Sequence, residues 1–250
     1  METFNDFLLQ IERAQEELKC SNSGAWYRGL TSVEFALIPK LFRSRVKPDA
    51  EANIYRDYLR TRMADQHLGS WRHLIDMQHY GIPTRLLDWT ESFAVALCFA
   101  LAGKSGDSDS PCIWILNPFS LATRGRGENN KSMGDFHLDQ TMDYYDRFVR
   151  LRNWKYKYPM PFNSPTPNER IRVQRGFFTV HGNDTSSLDK TCRRHIRQVL
   201  LPKTAISEAR RFLKLAGVDY DFLFPDYEGW QKRVERDYFY SPEEISKLKH

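Results

Sequence analysis

The sequence predicts an α+β fold: a single domain over residues 1–250 with a central mixed or antiparallel sheet flanked by helices. Three observations predict it. Helical and alternating hydrophobic periodicities both occur along the chain. They follow one another without the strand–helix–strand rhythm of a parallel sheet, and no internal repeat is present. The apolar share is 41%, with 16 Phe, 12 Tyr and 6 Trp, which is ample for a core at this length.

The elements follow in order. Phe4, Phe7, Leu8, Ile11 and Leu18 recur at helical spacing, so residues 4–19 read as an amphipathic helix broken by Ser21-Asn22-Ser23-Gly24. Ala25-Trp26-Tyr27-Arg28-Gly29-Leu30 reads as a short strand. Tyr55, Tyr58, Leu59 and Met63 mark a second helix; Gly69-Ser70 interrupts it, and Ser70 is placed to cap a shorter helix bearing Trp71, Leu74 and Ile75. Gly81-Ile82-Pro83 stops that helix, because Pro83 pushes Ile82 out of helical geometry. Arg85-Leu86-Leu87 reads as strand, and Thr90 as the cap of a buried helix from Glu91 to Ala102. Cys112–Leu116 is a buried strand ended by Asn117-Pro118.

Residues 119–168 read as an insertion or lid, with a loop at Arg124–Asn130, a helix at about 139–151, and an extended path imposed by Pro159, Pro161, Pro165 and Pro167. Ile171 and Val173 alternate with Arg172 and Gln174, which predicts a strand bent at Gly176. Ile196–Leu201 is another strand, Thr204 caps a helix through Ala216, and Asp226 starts a last helix ending near Tyr238.

The net charge of +5, from 37 Lys and Arg against 32 Asp and Glu, is a dispersed excess. The run Arg193-Arg194-His195-Ile196-Arg197 is short, so charge alone favours no nucleic-acid partner. Cys20, Cys98, Cys112 and Cys192 include no Cys-x-x-Cys pair, and no metal is expected. The longest apolar run, Phe93–Ala102, is too short to span a bilayer, and the N-terminal residues lead into no signal-peptide core. The expectation is a cytoplasmic protein with reduced thiols and no membrane partner.

Two segments carry residue types suited to chemistry. Arg28 lies between an aromatic and a glycine, and its guanidinium fork suits a phosphate or carboxylate if Gly29 leaves it room to enter a cleft. The plainer reading is a strand-end arginine pairing with a surface acid. The second segment, Gln78-His79-Tyr80-Gly81-Ile82-Pro83-Thr84-Arg85-Leu86-Leu87-Asp88-Trp89-Thr90, gathers aromatic, cationic, acidic and hydroxyl side chains around a Gly-x-Pro turn. Singly, His79 is explained as a helix-end cation, Asp88 as a capping carboxylate and Trp89 as a core ring.

Taken together, Tyr27-Arg28-Gly29 and the Gln78–Thr90 block resemble the FRG domain, a family named for an aromatic-Arg-Gly motif. The aromatic of that motif is Phe or Tyr, here Tyr27. Further matches are the Ala94–Ala100 helix, the Gln174-x-Gly176-x-Phe178-Thr179 strand, and Leu223-Phe224-Pro225-Asp226, so the resemblance runs over about residues 20–236. A second, more distant likeness is to ADP-ribosyltransferases, whose motif order is an early-strand Arg or His, a Ser/Thr- or Tyr-bearing strand leading into a helix, and a late-strand Glu or Gln. Arg28, Thr84–Thr90 and Gln174 follow that order.

The second likeness implies NAD as substrate and an ADP-ribosyltransferase or NAD glycohydrolase, of the kind found among bacterial toxins and phage-defence effectors, with a protein or nucleic-acid acceptor. Arg28, Asp88 and Gln174 are then the catalytic set. Tyr27, Gly29, His79, Tyr80, Thr84, Arg85, Trp89 and Thr90 are the substrate-binding set, with Tyr80 or Trp89 stacking on the cationic nicotinamide. A departure stands out: position 174 is Gln where a late-strand glutamate is usual, so Asp88 or Glu169 has to supply the negative charge that a positively charged transition state needs. Two other readings stay open: a nucleotide- or nucleic-acid-binding module without turnover, and an interaction domain whose motif is structural. A buried Arg28–Asp88 pair favours the last, and an open cleft with an unpaired Arg28 favours the others.

Overall fold

Short, β-branched and aromatic runs bounded by Gly and Pro form the strands of this protein, and all of their pairings are antiparallel. A computed structural model describes residues 2–20, 24–43, 50–61, 69–102, 110–126, 143–151, 158–164 and 168–238. Among these, β1 (Trp26–Leu30), β2 (Leu86–Thr90), β3 (Cys112–Leu116), β4 (Met160–Phe162), β5 (Gly176–Val180) and β6 (Ile196–Leu200) make one open sheet in the order β4-β5-β2-β1-β3-β6. The helices are α1 (Phe4–Glu17), α2 (Lys40–Arg43), α3 (Ala50–Thr61), α4 (Ser70–His79), α5 (Phe93–Ala100), α6 (Pro118–Arg126), α7 (Glu169–Val173), α8 (Leu188–Thr191), α9 (Ile206–Leu215), α10 (Tyr220–Leu223) and α11 (Tyr227–Tyr238).

Strand alternation sorts the side chains into three cores. Tyr27, Ile113, Ile115 and Val199 share one face, where α1, α5 and α9 cover β1, β3 and β6. Further along the same face Leu86, Phe178, Val180, Met160 and Phe162 pack under α3, α4 and a wide helical turn at Tyr145–Arg150. The opposite face buries Trp26, Leu87, Trp89, Leu116 and Ile196 against Leu121 of α6 and Leu188 of α8.

Close approach of α5 to β1 sets what position 29 can hold. A Cβ on Gly29 would stand 1.8 Å from the Ala96 carbonyl oxygen and 2.7 Å from the Ala100 nitrogen. Gly29 was expected to leave room for Arg28; its missing side chain instead admits the α5 backbone on the other side of the strand, since alternation turns positions 28 and 29 to opposite faces.

A second anchor is buried beneath α3. Arg85 is 5% exposed and bonds Glu51 of α3 and Tyr144, and donates to the carbonyls of His181 at 2.8 Å and Gly182 at 3.0 Å. Burial pulls its pKa down, but Tyr144 and Glu51 more than offset this, so the net direction is upward. His181, fully buried beside that cation, is pushed down to about 3, first by burial and then by Arg85.

Several sequence expectations are corrected here. The α5 cap is Ser92, whose side chain accepts from Val95 N, while Thr90 ends β2 and its hydroxyl donates to the Gln174 carbonyl at 2.7 Å. Residues 169–173 are helical, because Asn168 caps Ile171 N, and Gln174 is the C-cap; the strand begins at Gly176. The period-2 pattern rested on two apolar residues and missed that cap. Arg124–Arg126 belong to α6, whereas 127–142 lie outside the described residues, as do 152–157, Pro165, Pro167 and Met63. Met160–Phe162 is the sheet's edge strand, where Pro161 costs no interior ladder bond.

Two outcomes test this fold. Gly29→Ala is expected to cost about 3 kcal/mol or more in urea unfolding, or to prevent folding, because the obstacle is helix backbone. His181 stays neutral in the folded state while the unfolded chain takes up its proton below about pH 6.5. Its share of stability is therefore present above that pH and lost as pH falls toward about 3. In urea titrations between pH 7 and 4.5, His181→Gln is expected to flatten the acid loss by up to about 1.4 kcal/mol per pH unit; an unchanged slope contradicts the assignment.

Candidate functional site

The site begins with a break in the ladder. β1 pairs with β3 at five positions and β2 with β5 at five, but β1 and β2 pair only at Tyr27 opposite Thr90. Past that point the strands part, and the Arg28 guanidinium bridges them: Nη1 donates to the Asp88 carbonyl at 2.6 Å and stands 3.5 Å from Asp88 Oδ2. Burial lowers the Arg28 pKa and the Asp88 charge acts against it, so the group keeps its charge. Arg28 Nε is buried with no hydrogen-bond partner.

Asp88 is fixed from its other side by α4. Gln78 Nε2 lies 2.9 Å from both carboxylate oxygens, and Gln78 Oε1 accepts from the Thr84 hydroxyl at 2.5 Å. Gly81, at φ +68°, lets the chain reverse between Gln78 and Thr84. Gln78, Thr84 and Asp88 thus stand together because the turn between helix and strand is tight.

A cavity of about 440 Å³ opens along this seam, within the size range of small-molecule sites. One wall is Tyr27–Thr31, Gln78, His79 and Asp88–Thr90; Phe99, Phe177, Phe178 and Phe224 supply aromatic surface. The far wall comes from Asn168, Arg170, Ile171 and Gln174. Arg170 bonds Asp226 at 2.9 Å, donates to the His79 carbonyl at 3.3 Å and lies 4.5 Å over the Phe224 ring. His79 Nε2 is 3.8 Å from the same Asp226 carboxylate. Gln174 Nε2 is bound to the Leu223 carbonyl at 2.9 Å.

The structure brings together most residues singled out from the sequence. Arg28, Tyr27, Gly29, His79, Asp88, Trp89, Thr90 and Gln174 all line the cavity. Three others sit outside its lining. Tyr80 is 59% exposed, Thr84 is buried behind Gln78, and Arg85 is engaged with Glu51 and Tyr144. Trp89 is tied through Nε1 to Thr179 at 3.1 Å, and the Tyr27 hydroxyl accepts from Gln15 at 2.8 Å. Tyr27 is pushed up to about 12 by burial, which leaves it an un-ionised wall residue. Gln78, Phe99, Arg170, Phe224 and Asp226 had no assigned role; Gln78 and Phe224-Pro225-Asp226 lay inside recognised motif blocks, which was the available signal.

The four cysteines form no disulfide, and burial pushes Cys20 and Cys98 up to about 11, away from thiolate character. Among the described residues no group of three or more His, Cys, Asp or Glu is placed to hold a metal, and no helix is long and apolar enough to cross a membrane.

Fold and site together define an α+β protein with a ligand-sized cavity at a parted seam of its antiparallel sheet. Residues 23–109 match the family model described as the FRG domain. That match spans β1, α4, β2 and α5 and thus the Arg28–Asp88–Gln78 wall, whereas α7 and Phe224 lie beyond it. No curated protein and no solved structure matches the chain.

Exposure separates the two motif arginines. The Asp88 side chain is 53% exposed and keeps Gln78 as a partner, so Arg28→Ala is expected to cost about 1 kcal/mol in urea unfolding. Arg85→Ala, which leaves the Glu51 carboxylate at 16% exposure with the Tyr144 hydroxyl but without its cation, is expected to cost about 3 kcal/mol. Equal losses would assign Arg28 to the framework.

Proposed function

We propose that the cavity binds NAD and that the protein is an ADP-ribosyltransferase-like enzyme or NAD glycohydrolase. The observation that carries this reading is the Asp88 carboxylate, held by Gln78 and Arg28 on the wall of an aromatic-lined cavity. Breaking the bond between C1′ of the ribose and nicotinamide sends the bonding electron pair to the departing ring and leaves positive charge on the ribose. A fixed carboxylate facing that charge lowers the barrier. Water, or a hydroxyl of a protein or nucleic-acid acceptor, then bonds C1′ and releases its proton to solvent.

In this reading Asp88 takes the part that the missing late-strand glutamate leaves open. Gln174 is a wall residue, since its amide is committed to the Leu223 carbonyl. Arg28 directs Nη1 to Asp88, and its remaining donors suit a phosphate oxygen of the ligand. The aromatic lining suits the planar, cationic nicotinamide ring. A toxin or phage-defence role belongs to the same proposal and rests on the motif likeness alone.

One observation favours a second reading. Arg28 is already bonded to the Asp88 carbonyl, so the pair partly satisfies itself, as in an interaction domain whose motif is structural. Calorimetry and nicotinamide release separate the two. The wild type is expected to bind NAD and release nicotinamide, and Asp88→Asn to lower kcat by about a hundredfold with NAD affinity nearly intact. Binding without release supports a nucleotide-binding module without turnover; no binding at millimolar NAD removes the enzyme reading and favours the structural one.

A further inference from the structure

Hydrogen-bond accounting around Asp88 fixes more than its position. An ionised carboxylate only accepts, so the end of Gln78 that faces it at 2.9 Å must be the NH2 group. Gln78 Oε1 then points at Thr84, whose hydroxyl must donate. The Thr84 oxygen is free to do so because its own incoming bond is supplied by the Leu86 backbone N–H at 3.1 Å. The order is therefore Leu86 N–H to Thr84, Thr84 O–H to Gln78, and Gln78 N–H to Asp88. Reversing any one member would set two acceptors against each other.

The anchoring differs along this chain. Thr84 is 1% exposed and its backbone carbonyl accepts from Leu41 N at 3.1 Å, while the Asp88 side chain is 53% exposed. A rigid, buried hydroxyl thus orders an amide, and the amide orders an exposed carboxylate that would otherwise sample several rotamers. Because Gln78 reaches both oxygens, it holds the plane of the carboxylate as well as its position.

We infer that Gln78 and Thr84 are positioning residues that act through Asp88, keeping its carboxylate aimed at the cavity for the reaction proposed above. Neither needs to touch the reacting atoms. The inference rests on the reading of Asp88 as the charge at the reacting centre, and the test keeps the two apart.

The first arm uses the protein without ligand. The Gln78 side-chain NH2 resonances in 15N-edited NMR are expected to exchange slowly with water. Thr84→Val, close to isosteric, is expected to remove that protection, and Thr84→Ser to keep it. The second arm reads nicotinamide release from NAD. Thr84→Val and Gln78→Glu are expected to lower kcat about tenfold or more, with KM within about twofold, while Thr84→Ser stays within about twofold of wild type. Gln78→Glu places a second carboxylate against Asp88 and tests charge orientation without deleting the side chain. Turnover by Thr84→Val and Gln78→Glu at the wild-type rate overturns the positioning role, as does Gln78 protection that ignores Thr84→Val. A wild type that binds NAD without turnover overturns the catalytic reading and the positioning role with it, while the amide arm still decides the order of the hydrogen bonds.

Discussion

One guanidinium holds the β1–β2 seam at the point where its backbone ladder stops. Beyond the Tyr27–Thr90 pair, the Asp88 carbonyl accepts from Arg28 Nη1. This lets the sheet part locally without leaving that carbonyl unpaired. The parting makes the cavity, and the side chain that bridges it also supplies the cavity's cation. The contact that bridges the gap thus also lies in the cavity wall, which is why Tyr27-Arg28-Gly29 reads as a motif: Tyr27 ends the ladder, Arg28 bridges the gap, and Gly29 admits α5.

The surrounding structure keeps that opening in place. Arg85, three residues before Asp88, ties the start of β2 to α3 and to the chain after β5 through Glu51 and the His181 and Gly182 carbonyls. The α4–β2 turn brings Gln78 back onto Asp88, and α7 with Phe224 closes the far side through Arg170 and Asp226. The match to the FRG model covers the Arg28–Asp88 wall and stops before the α7 wall.

Much of this was legible in the sequence, for identifiable reasons. The helices at Phe4–Glu17 and Tyr227–Tyr238 and the strand Cys112–Leu116 follow from periodicity and punctuation. The meeting of Arg28 with Asp88 was anticipated from two motif blocks dense in polar groups and glycine. Local patterns failed where a tertiary contact or an unnoticed cap decided the outcome. Two alternating residues at 171 and 173 resembled a strand, but Asn168 caps a helix there. Thr90 looked like a cap, yet its hydroxyl is used by Gln174, and Ser92 takes that role. Gly29 looked like room for an arginine, because nothing local announces that α5 crosses within van der Waals reach. The α7–Phe224 wall comes from segments far apart in the chain, and sequence spacing carries no signal for their meeting.

On the proposed reading, the parted seam is a ligand site whose polar contacts are Arg28 and Asp88. Diffraction from crystals soaked in millimolar NAD, compared with Arg28→Ala crystals treated alike, tests it most directly. The expected result is nucleotide density within hydrogen-bond distance of Arg28, with the ring against the aromatic lining, and none in the variant. An empty cavity in the wild type, or equal density in both, would contradict it.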